Sequence, residues 1–108
     1  MDQEQLLHSL FAGFIRIHIL HHCARRPWYG QELMDELSEH GYKLSFGTLY
    51  PVLHDLEKSG WLIREERLVG GRWRKYYRTS DQGQEALATA RHQVKELSEE
   101  LEETEDDI

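Results

Sequence analysis

Two glycines in a row, Gly70-Gly71, separate two strand-like runs at residues 61–69 and 72–79. A two-residue hairpin turn of the favoured kind needs positive φ at both central positions, which a glycine pair adopts at little steric cost. The second run carries Trp73, Tyr76 and Tyr77, residue types that suit a pleated, half-buried surface. Before residue 60 and after residue 80 the apolar positions instead recur at helical spacing. The chain therefore reads as mainly α with a single small β-hairpin set between helices.

The first helical segment, residues 3–24, holds Leu6, Leu7, Leu10, Phe11, Phe14, Ile15, Ile17, Ile19 and Leu20. These cover more than one face, and a helix apolar on most sides must be covered on most sides. Pro27 breaks the pattern, and Gly30 opens a second helix with Leu33, Met34 and Leu37 inward and Gly41 as its stop. Ser45 reads as the N-cap of a third helix, whose core side is Leu49, Val52, Leu53 and Leu56 and whose end is Gly60. Pro51 lies beyond a first turn, so the helix either begins near Thr48 or bends there. Trp61 and Leu62 read as core, and Tyr76 and Tyr77 point to opposite faces of one strand. Ser80 or Asp81 caps a last helix in which Leu87, Ala90, Val94, Leu97 and Leu101 make a coiled-coil seam before an acidic end that frays from Glu102.

With 108 residues there is room for one core, and no apolar run approaches the ~20 residues that span a bilayer. The N-terminus lacks a secretory signal pattern, and the one cysteine, Cys23, has no partner for an internal disulfide, so a reduced cytoplasm is expected. A net charge of −7 argues against nucleic acid only until it is divided along the chain. Residues 79–108 hold ten acidic and two basic side chains, whereas residues 61–78 hold six basic ones against Glu65 and Glu66. Segregation of this kind bears on partners more than the total does.

Helix, turn, helix and then a basic hairpin is the order of a winged helix-turn-helix followed by a C-terminal dimerisation helix. The third helix suits a major groove, and Arg72, Arg74 and Lys75 on the wing suit phosphates or a minor groove. Small helical domains with basic hairpins also serve as protein-binding modules, so the pattern leaves both open.

Particular residues go further. Tyr29-Gly30, Gly47-Thr48-Leu49-Tyr50-Pro51, Leu56-Glu57-Lys58-Ser59-Gly60 and Gly70-Gly71-Arg72-Trp73-Arg74-Lys75-Tyr76-Tyr77-Arg78 closely resemble the PadR family of bacterial transcriptional regulators, in order and spacing. The resemblance extends over residues 6–90 and is to the family's short branch. It implies a homodimeric repressor on double-stranded DNA, with a pseudo-palindromic operator, terminal helices forming the dimer and an effector relieving repression. Phe46 and Trp73 depart from it, standing near the expected DNA face where the family commonly has proline.

On this reading residues 1–80 are a DNA-binding domain with a dimer-supporting first helix, and residues 81–108 are a dimerisation helix with an acidic tail. Ser45, Thr48, Tyr50 and His54 of the third helix and Arg72, Arg74 and Lys75 of the wing are the expected DNA contacts. Leu10, Phe14, Leu87, Val94, Leu97 and Leu101 are the expected dimer contacts. A small apolar or aromatic effector would sit at that interface, near Phe11, Phe14 and Ile15. The competing reading is a winged-helix adaptor that binds protein through its acidic last helix and has no DNA affinity.

His18 and His22 are four apart and could share a zinc, copper or nickel ion, with His21 and Cys23 alongside. Yet no acidic ligand, Cys-x-x-Cys or second histidine pair is near in sequence, and histidines near a helix C-terminus also suit the dipole. The sequence thus assigns no metal and no cofactor. Without a Gly-rich phosphate loop, a nucleophile elbow or catalytic metal-ligand spacing, it points to no enzyme.

Overall fold

The computed structural model describes residues 1–106, with side chains as far as Glu103. Its elements run α1 (Gln3–Arg25), β1 (Trp28–Tyr29), α2 (Gly30–Glu39), α3 (Phe46–Lys58), β2 (Leu62–Val69), β3 (Arg72–Thr79) and α4 (Asp81–Asp106).

Helix boundaries follow local chemistry. The Asp2 carboxylate accepts the Gln5 N–H at 2.8 Å while the Gln5 side chain accepts the Asp2 N–H at 3.0 Å, a reciprocal cap that starts α1. Arg26, held extended ahead of Pro27, ends it. α2 and α3 stop in the same way: Tyr42 donates back to the Leu37 carbonyl and Trp61 to the Leu56 carbonyl, each at 2.9 Å. α3 starts at Phe46, ahead of Thr48, and continues across Pro51. Proline leaves the Gly47 carbonyl without its intrahelical donor, but both residues are exposed, where the loss costs least.

β2 and β3 pair antiparallel from Leu62↔Thr79 to Val69↔Arg72, and the turn between them has φ of 58° and 77° at Gly70 and Gly71. The sheet has a third strand that periodicity does not announce. β1 is two residues long and pairs Trp28 with Tyr77 and Tyr29 with Tyr76, giving the order β1-β3-β2. Two residues are too few to show a period.

All four helices contribute to the core: Ile15, Ile19, Leu20 and Cys23 from α1, Leu33 and Leu37 from α2, Leu49, Leu53 and Leu56 from α3, and Leu87 from α4. Leu62 and Tyr77 close it from the sheet, with Tyr76 on the opposite face. Two expectations change. Trp61 is 37% exposed, because the strand turns Leu62 inward and leaves its neighbour outside. Leu87 is only 6% exposed within its own chain, so it belongs to the core and is not available to a partner. The first turns of α4 are therefore part of the winged domain's core, and the packing has no break at residue 80.

Ser80 makes the α4 cap: its hydroxyl accepts the Gly83 N–H at 3.0 Å and donates to the Gly60 carbonyl at 2.6 Å. From Arg91 onward every described side chain of α4 is exposed, as is every one from Met1 to Phe11. α4 continues as helix to Asp106, through residues where fraying is expected; Asp107 and Ile108 lie outside the described residues.

Gly83 allows α4 to sit against the sheet, since a Cβ there would collide with the Trp61 carbonyl and Thr79 Cγ2. In a free helix Gly→Ala stabilises by about 1 kcal/mol, but here overpacking of about 1–3 kcal/mol opposes it. Gly83→Ala should lower the melting temperature. A rise on thermal unfolding would contradict this packing.

Candidate nucleic-acid interface

Successive side chains on α3 are rotated by about 100°. With Leu49, Leu53 and Leu56 buried and Val52 packed on them, Gly47, Pro51, His54 and Lys58 form the central outward strip. Phe46 and Tyr50 lie on the flank toward the wing, their rings stacked at 5.5 Å. Thr48 lies on the other flank, beside His8, Phe11 and Ala12 of α1. Ser45 and Thr48 are both exposed but engaged with each other: the Ser45 hydroxyl accepts the Thr48 N–H at 3.2 Å, and the two hydroxyls are 3.2 Å apart.

Tyr50 is 41% exposed, and its hydroxyl rests against the start of α2, where a Cβ on Gly30 would come within 2.7 Å of it. Opposite lies the wing. Between them opens a cleft of about 460 Å³, lined on the helix side by Tyr29, Phe46 and Tyr50 and on the wing side by Arg72, Trp73, Arg74 and Lys75. β1 contributes Tyr29, which supports Arg74: the guanidinium carbon sits 4.6 Å from the ring centroid.

The basic side chains divide into two sets. Arg67 and Arg78 donate to the Glu65 carboxylate at 3.0 and 2.9 Å, and these hydrogen bonds hold its pKa below the usual carboxylate value. Arg64 lies 3.6 Å from Glu57, and Arg26 is paired with Glu32 at 3.2 Å and stacked over Trp28. Arg72 and Lys75 have neither an ion pair nor a hydrogen bond among the described residues. Next to them Trp73 is 70% exposed and faces Leu68 across the ladder. A cleft with unpaired cations and exposed rings, beside the outward strip of a helix, can accept a polyanion with stacking or groove-filling contacts.

The profile of the "Transcriptional regulator PadR-like family" matches residues 19–89, most of the chain. The chain belongs to the PadR-like family of transcriptional regulators. The transcriptional regulator Rv3488 of Mycobacterium tuberculosis is 48% identical over 87 residues, 81% of each chain. The crystal structure of a PadR family transcriptional regulator from Eggerthella lenta is 32% identical, with a TM-score of 0.77 over 93% of this chain and 88% of that one. A Streptococcus transcriptional regulator is 30% identical, with a TM-score of 0.75 over 97% and 99%. The fold matches the PadR winged helix of the Eggerthella lenta structure: four helices and a small three-stranded antiparallel sheet.

In this PadR-like chain the expected site residues are thus only partly assembled. Tyr50, Arg72, Arg74 and Lys75 share one cleft, His54 stands on the outward strip, and Ser45 and Thr48 form the helix cap on the far side. Gly47, Pro51 and Lys58 share the strip with His54; the phase of Leu49, Leu53 and Leu56 was the signal for them. Tyr29 had none, since nothing local reveals its strand. Among the described residues no helix is long and apolar enough to cross a membrane.

Cys23 belongs to none of this. It is 2% exposed, and burial pushes its thiol up to about 12. In the native protein it should resist a thiol reagent at pH 8 and react fully in denaturant. Labelling of native protein within minutes would show that the core opens there.

Proposed function

We propose that this PadR-like regulator is a sequence-specific repressor, acting as a homodimer on a pseudo-palindromic operator and released by an effector. The observation that most supports DNA binding is the cleft between α3 and the wing, where Arg72 and Lys75 are exposed and have no ion pair among the described residues. Wing cations contact phosphates, and the outward strip of α3 supplies the base contacts. The acidic balance does not oppose this, since screening limits exposed charges to about 8 Å at physiological salt and the excess acid is on α4.

The dimer reading rests on apolar surface. Leu10, Phe14, Val94, Leu97 and Leu101 are 42–58% exposed, and Phe14 borders a groove with Val94, Leu97 and Leu101. A second copy covers this surface, while Leu87 keeps α4 anchored in its own domain. On this basis the winged domain, with the first turns of α4 in its core, reads DNA, and the exposed face of α1 together with α4 from Val94 onward joins the copies. The effector is small and apolar or aromatic, and its place is the cavity of about 400 Å³ lined by Phe14, Ile17, His18, His21, Tyr42 and Val94. Ile15 is buried, and Phe11 lines a different hollow.

Salt titrations on operator and scrambled duplexes test the DNA reading. Arg72→Ala or Lys75→Ala should weaken both duplexes alike and reduce the slope of log affinity against log salt by about one per contact, about two per dimer. Tyr50→Ala or His54→Ala should cost ~1–3 kcal/mol on the operator and far less on scrambled DNA. Half-sites should be centred about 34 Å apart or a multiple of that. Identical profiles for the two classes of variant would refute the division, and no binding to any duplex at low salt would favour a protein-binding adaptor using the acidic α4.

Leu97→Glu places an unpaired charge in the proposed dimer seam and should destabilise it by several kcal/mol. Light scattering should then report a monomer. An unchanged dimer mass would move the interface elsewhere.

A further inference from the structure

One cluster of side chains has no part in reading DNA. His18 and His22 are a turn apart on α1, and the turn that ends α2 brings His40 onto them. Ring centroids are 4.7 Å apart for His18 and His40, 6.0 Å for His18 and His22, and 6.3 Å for His22 and His40. One ring nitrogen from each histidine lies within 4.8 Å of the other two. The Tyr42 N–H, bonded to the Leu37 carbonyl, fixes the turn, and the Tyr42 ring meets His18 edge-on at 5.5 Å.

The cluster has a carboxylate. Glu36 Oε1 lies 3.2 Å from His40 Nε2 and 3.5 Å from His22 Nε2. The first contact is a hydrogen bond and the second is not, which leaves His22 Nε2 buried without a hydrogen-bond partner among the described residues. A buried ring nitrogen without a partner is an uncommon and costly arrangement. We propose that His18, His22 and His40 are the imidazole ligands of a site for a divalent late transition ion, zinc foremost, which clamps α1 to the end of α2.

The chemistry suits that ion. Three imidazole nitrogens are the donor set that zinc, copper and nickel prefer over magnesium or calcium. Tetrahedral zinc with Zn–N of about 2.0–2.1 Å needs nitrogens about 3.3 Å apart, so the rings must close by at most roughly 1.5 Å. His40 is half exposed and at a helix end, where its side chain has room for that movement. The ligands must be neutral; burial lowers the pKa of both His18 and His22, which favours that form. Glu36 is placed to orient the rings or take the fourth position. The inference is independent of DNA binding, since none of these residues lines the cleft beside the wing.

The test uses untagged protein stripped with a chelator and then freed of it. Equilibrium dialysis against zinc chloride should give one ion per chain, and the melting temperature should rise with zinc concentration. His40→Ala should retain the fold by circular dichroism and lose the ion. Glu36→Gln should weaken binding by about 10–100-fold. His8→Ala and His92→Ala, which alter exposed histidines elsewhere, should bind as the parent does. Failure of the parent to retain zinc would overturn the proposal and leave a cluster that only shares protons with Glu36. Retention of zinc by His40→Ala, or its loss in His8→Ala or His92→Ala, would overturn it equally by placing the ion elsewhere.

Discussion

Two adjacent hydroxyls, those of Thr79 and Ser80, tie the ends of four elements together. Thr79 donates to the Leu20 carbonyl in the last two turns of α1, at 2.8 Å and buried. Ser80 donates to the carbonyl of Gly60, the residue that closes α3, and accepts the N–H of Gly83 in the first turn of α4. Its own N–H reaches the Trp61 carbonyl at the mouth of the hairpin. Leaving any of these buried groups unpaired would cost about 1–3 kcal/mol. The direction in which α4 leaves the domain, and the angle of the wing against α3, both follow from this junction.

α1 serves three neighbours with three faces. Ile15, Ile19 and Cys23 enter the core, while Leu6, Leu10 and Phe14 remain open to solvent. A third stripe, His18 and His22, meets the end of α2. The weak segregation of polar and apolar residues along this helix follows from that sharing.

Charge is sorted by pairing as well as by position. Glu65 takes up Arg67 and Arg78, and Glu57 and Glu32 answer Arg64 and Arg26. Exposed pairs of this kind add little stability. They do remove those cations from competition, so the outward charge of the wing is concentrated at Arg72 and Lys75 near its tip.

Local rules in the sequence determined much of this protein. The glycine pair set the hairpin, Asp2 and Ser45 set helix starts, and residue pairs four apart set the apolar stripes, because each depends on neighbours within one turn of chain. The phase of α3 was equally local, so the separation of Thr48 from Tyr50 could be read there. Tertiary structure decided what local period leaves undetermined. Leu87 and Val94 occupy the same kind of seam position, yet only Leu87 is buried by the chain itself, because the domain ends before Val94 is reached. β1 exists because β3 offers it an edge, and Trp61 is outside because Leu62 is inside. His40 meets His18 and His22 across eighteen or more residues of sequence through the packing of α2 on α1. No pattern along the chain encodes such a meeting, because its cause is the shared core that brings the two helices together.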